Sequence, residues 1–124
     1  MNGGHISQSS AYEGFRQEFE RMLQKDKISE QEFLSMAKIA VDTYVQEPEA
    51  REKIAYNMTG LWFVIEDKMG KQYAEQHPAI EEIGDEFAVL ELPDAHVPLD
   101  SYNTVEEKWS ALSQRIYQLI ESRA

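Results

Sequence analysis

Apolar side chains recur along this chain at steps of three and four, and polar breaks divide them into five stretches. Tyr12, Phe15, Phe19, Met22 and Leu23 form the first stripe, preceded by Ser10 and Glu13 in the arrangement of a capping box. Lys25–Lys27 is polar. Ser29 and Glu32 then repeat the capping arrangement, with Ile28 and Phe33 placed to form a hydrophobic staple. Phe33, Ala37, Ala40, Val41 and Tyr44 make the second stripe, which should stop near Glu47. Pro48 suits the first turn of a third helix, whose seam is Ile54, Met58, Leu61, Ile65 and Met69. Trp62, Phe63 and Val64 widen that seam and mark the helix as central, and Gly70 suits its end.

Residues 71–76 either prolong this helix briefly or link it to the next. Pro78 restarts a helix carrying Ile80, Ile83, Phe87 and Leu90. Phe87–Leu92 also reads as a short strand, but the three-and-four spacing spans both halves and favours helix up to Pro93. Residues 93–102 hold two prolines and two aspartates and are expected to be loop. Asn103 or Thr104 then caps a last helix, with Glu106 or Glu107 as reciprocal partner. Its buried face is Val105, Trp109, Leu112, Ile116, Leu119 and Ile120. No stretch alternates with period two, so the expectation is an all-α bundle of four to five mostly antiparallel helices over residues 10–124, behind a flexible tail at 1–9. Among the mid-helix glycines, Gly60 reads as a close helix–helix approach and Gly84 as a kink or an early helix end.

The chain has 124 residues, enough for one apolar core, and no cysteine, which excludes disulfides, thiolate metal sites and cysteine nucleophiles. The opening residues have no leader pattern and no later run is apolar enough to span a bilayer, so a soluble, cytoplasmic protein is expected. The formal charge of −11 argues against direct binding to nucleic acid or to anionic membranes, which require a basic footprint.

Candidate chemistry is sparse. The histidines are His5, His77 and His96, and none has a glutamate three residues before it, as a carboxylate-bridged di-metal bundle requires. No nucleophile elbow, phosphate-binding glycine loop or calcium loop occurs. One alternative is a helical enzyme holding a divalent cation through Glu75, His77, Asp94, His96 and Asp100. Glu81, Glu82, Asp85 and Glu86 are too well solvated, on this reading, to act as a general acid and base, because the apolar face of their helix lies elsewhere.

Charge distribution is the main functional clue. Between Lys71 and Lys108 lie ten acidic residues and no lysine or arginine, whereas the first 45 residues hold seven acids and five bases. Glu82 and Glu86 are like charges one helical turn apart, a costly arrangement in an isolated helix. A concentrated field of one sign speeds association with an oppositely charged surface. The reading is therefore a non-enzymatic binding module, without cofactor, that docks a basic protein partner through Glu82, Asp85, Glu86, Asp94, Asp100 and Tyr102. Its sharper form is an inhibitor or immunity-like protein that covers a nucleic-acid-handling site by standing in for phosphates. No motif carries a family resemblance. A further alternative is a self-associating adaptor or homodimer, using Phe63 and Val64 as a leftover apolar stripe.

Overall fold

The computed structural model describes residues 10–123. The expected tail at 1–9 lies outside the described residues. Six α-helices are present among them: α1 (Ala11–Leu23), α2 (Glu30–Gln46), α3 (Arg51–Met69), α4 (Lys71–Gln76), α5 (Pro78–Leu90) and α6 (Val105–Ser122). Phe87–Leu90 completes α5, so the strand alternative fails and Glu91 closes the helix. Pro48 opens a single 3-10 turn, Pro48–Ala50, and α3 begins only at Arg51. Residues 71–76 form a helix of their own because Gly70 breaks the chain direction at φ 87°, a left-handed conformation that costs glycine nothing. A second 3-10 turn, Asp94–His96, lies in the expected loop.

Local signals explain where the helices start. The Ser29 hydroxyl accepts from the Glu32 N–H at 3.1 Å while the Glu32 carboxylate accepts from the Ser29 N–H at 3.0 Å, the full reciprocal box. Ile28 and Phe33, the staple, are both fully buried. Ser10 caps α1 by the first half of this arrangement alone. Thr104 caps α6, and Glu107 reaches back to the Asn103 N–H rather than to the cap residue.

Helices α2, α3, α5 and α6 make an up-down-up-down bundle in which each packs on two antiparallel neighbours. The order is marked by contacts at both ends of α6: Trp109 stacks on Tyr44 and meets Phe87 edge-on, while Arg123 reaches Glu30. Helix α1 packs outside, on α2 and α3, and runs parallel to α3. Tyr12 at its start meets Asn57, and the Leu23 carbonyl at its end accepts from the Lys68 ammonium at 2.8 Å. One core cluster joins all of the long helices, centred on Phe15, Phe33, Met58, Ile83, Phe87 and Trp109.

Two glycines correct the sequence expectation. The close approach lies at Gly84, well inside α5: a Cβ added there would sit 2.5 Å from the Trp62 ring. The indole of α3 thus fills the missing side-chain space of α5. A Cβ added at Gly60 would meet nothing within 4 Å, so that glycine faces open space. Phe63 points outward and is 55 % exposed, and Trp62 and Val64 are half-buried, so α3 is central on one side only.

Candidate functional site

Helix α5 buries Ile80, Ile83, Gly84 and Phe87. That face fixes the remaining positions: Glu82 and Glu86, one turn apart, are exposed on the flank beside α6, and Glu81 and Asp85 are exposed next to them. Tyr102 comes from the connection between α5 and α6. Glu82, Glu86 and Tyr102 line one shallow depression of about 330 Å3, closed from the α6 side by Ala111, Leu112 and Arg115. Three of the six candidate docking residues therefore share one site.

The fold also supplies cations to this acidic run. Arg115 grips Glu82 through two hydrogen bonds, of 2.6 and 2.9 Å, and holds its carboxyl below the usual range. Lys108 is buried, and its ammonium donates to the Pro98 carbonyl and to the Asp100 carboxylate at 3.2 Å. Asp100 itself takes a left-handed conformation, φ 58°, which short polar side chains tolerate better than most. Arg51 pairs with Asp94 and, at 3.2 Å, with Glu106, bringing the start of α3 to the start of α6. Asp94 thus belongs to a separate ion-pair cluster. Among the described residues Glu81, Asp85 and Glu86 have no ion pair.

Glu86 differs from its neighbours. Burial pushes its carboxyl up, Asp85, Glu82 and Asp100 push the same way, and Lys108 opposes them. Glu82 and Glu86 thus depart from the plain solvated acids expected on this face. Neighbours one turn apart are driven in opposite directions, because Arg115 reaches Glu82 while the same depression desolvates Glu86.

The divalent-cation alternative finds no assembled ligand set. Among the described residues no three histidine, aspartate or glutamate side chains gather to hold a metal ion. His77 packs on Tyr73, with its Nδ1 3.8 Å from Glu30, and Asp94 and Asp100 are engaged by Arg51 and Lys108. No described helix is long and apolar enough to cross a membrane.

Compared with known protein families, curated proteins and solved structures, the chain matches none. The site therefore rests on its own geometry. Sequence reasoning missed Arg51, Lys108 and Arg115 as the counterions of the acidic run. Arg115 lies 33 residues from Glu82 and Arg51 lies 55 from Glu106, so no local spacing signals either pair. A weak signal existed for Lys108, a lone cation on the buried side of α6, one residue before Trp109.

Proposed function

We propose that this chain is a non-enzymatic binding module that docks a basic surface of a partner protein through the α5–α6 depression. The observation that carries this reading is the grouping of Glu82, Glu86 and Tyr102 around one hollow, with Asp85 and Asp100 close enough to raise the affinity of Glu86 for protons. Four carboxylates there face two resident cations, Arg115 and Lys108, so the patch stays negative after internal pairing. Arg115 and Lys108 also hold their carboxylates in place, which lowers the ordering cost of binding. Tyr102, 38 % exposed, supplies an aromatic anchor beside the charge. Within this class, an inhibitor that covers a nucleic-acid-handling site fits best, because rigidly spaced carboxylates can replace phosphates in a basic groove.

The test is quantitative capture at low salt with a double variant, Asp85→Lys and Glu86→Lys, which spares the Glu82–Arg115 pair. A control, Glu49→Lys with Asp67→Lys, makes the same charge change at exposed positions outside the site. The reading expects basic proteins that elute with salt, are lost from the double variant and are kept by the control. Identical sets from all three proteins would overturn it.

A further inference from the structure

On the opposite flank of the bundle, α3 forms the floor of an open groove between α1 and the C-terminal end of α5. Two adjoining cavities, of about 510 and 360 Å3, run along it and share Tyr56, Asn57 and Glu91. The groove follows α1 from Tyr12 to Leu23, about 17 Å at helical rise, or three turns. The smaller cavity is the more apolar, with Phe19, Leu23, Phe63 and Val64 around the open space over Gly60, and the larger is lined by Glu52, Lys53 and Arg16 as well as aromatic rings. Tyr56, 69 % exposed, and Phe63 leave large apolar surface uncovered.

Glu91 sits where the two cavities meet. Its Oε2 is shut off from solvent and has no hydrogen-bond partner among the described residues. It also closes α5, where the helix dipole already concentrates negative charge. Two cations line the groove, Arg16 and Lys53, and neither is paired with Glu91. Arg16 bonds Asn57 at 3.1 Å and Glu20 and lies over the Phe19 ring, and Lys53 lies over the Tyr12 ring. Glu91 thus lines both cavities with no cation paired to it among the described residues, so a cation entering the groove meets an unpaired negative charge.

We infer that this groove docks an amphipathic helical segment of a partner protein, which lays apolar side chains over α3 and brings one lysine or arginine to Glu91. Charge complementarity at Glu91 selects the cation. The floor is a helix whose backbone groups bond one another, which selects a segment that satisfies its own backbone, and the length accommodates three helical turns. This surface is independent of the α5–α6 depression.

The test is selection of a displayed library of amphipathic helices, about 14 residues long, against the folded full chain, with randomised groove-facing positions. The expected winners carry one lysine or arginine flanked by large apolar residues at helical spacing. They bind wild type about tenfold more tightly than Glu91→Gln or Gly60→Met, the latter filling the groove. Glu91→Lys restores binding to a winner whose basic residue is changed to glutamate. Asp85→Lys with Glu86→Lys lowers the affinity less than Glu91→Gln does, since these exposed charges lie outside the groove and are screened by salt. An empty selection, winners without a basic position, or full affinity for Gly60→Met overturns the inference. A dimer in sedimentation that Gly60→Met dissociates also overturns it, by giving the groove to a second copy of this chain.

Discussion

Gly60 and Gly84 both interrupt the middle of a helix, and the bundle treats them in opposite ways. At Gly84 the Trp62 ring occupies the space a side chain would take, and α3 and α5 meet along a closed seam. At Gly60, two residues before Trp62, the same helix turns its other side to an open groove. The electrostatics divide the same way. Beside the closed seam, Glu82 is gripped by Arg115, and at the open groove the Glu91 Oε2 has no partner among the described residues. The closed side fills its space with the Trp62 ring and pairs Glu82 with Arg115, and the open side leaves apolar surface and the Glu91 carboxylate without a cation among the described residues. The proposed helical partner would dock on that open side.

The sharpest way to break the comparison is Gly84→Ala. The added methyl meets the rigid part of the indole, an overpacking cost of about 1–3 kcal/mol. Three ring atoms under 3.0 Å put the cost in the upper half of that range, and helix propensity returns about 1 kcal/mol, so urea denaturation should show a net loss of about 1–2 kcal/mol. In a Trp62→Leu background most of the loss should vanish, a coupling of about 1 kcal/mol in the double-mutant cycle. A neutral Gly84→Ala would mean the seam yields and the contrast is shallow. Gly60→Ala is the counterpart. With nothing within 4 Å to resist it, only the propensity gain of up to about 1 kcal/mol remains. Thermal unfolding should therefore move up, by about 4 °C at most.

This difference between glycines shows where sequence reading stops. Spacing identifies the buried faces of the long helices well: Phe15, Phe33, Met58, Ile83 and Trp109 all sit in the core where periodicity puts them. Caps at Ser10, Ser29 and Thr104 are equally readable, because each is settled by residues three apart. Which glycine a distant ring fills depends on how α3 and α5 pack, and Trp62 is 22 residues from Gly84. The acidic run is the same problem in electrostatic form. Its local density is plain in the sequence, but Arg51 and Arg115 neutralise part of it across the bundle. Of the six docking candidates, Glu82, Glu86 and Tyr102 share a hollow, whereas Asp94 is drawn toward α3 by Arg51. In the sequence Glu91 is one acid among the ten of that run, and its place in a groove depends on α1 packing beside α3.

Glu91→Gln sharpens the comparison from the open side. It keeps the shape and removes a negative charge from a helix C-terminus. The free protein should gain about 0.3–1 kcal/mol at neutral pH in urea denaturation. A loss of stability would mean that the carboxylate is already satisfied within the fold, and the open side would then resemble the closed one.

The smallest effect tests the closed side through pH. Glu82 has a lowered proton affinity in the fold because Arg115 hydrogen-bonds its carboxylate. Its contribution is present above the unfolded glutamate pKa of about 4.3 and is lost as pH falls below it. Arg115→Met should lower the denaturation midpoint only slightly at pH 7, since both groups are exposed, and the deficit should disappear in acid. Glu86 carries the opposite sign. Burial raises its proton affinity, so ionisation opposes folding at neutral pH and protonation relieves the penalty as pH falls through its raised value. Glu86→Gln should stabilise the protein by under about 0.5 kcal/mol at pH 7, a value kept small by water reaching the exposed residue. The gain should fade to nothing below about pH 4, where the wild-type carboxyl is protonated in both states. Denaturation midpoints of the two variants against pH should therefore approach wild type from opposite sides as acid is added. If the two curves ran on the same side, Glu82 and Glu86 would share one solvated environment, and the hollow they line would lose the desolvation that distinguishes it from open surface.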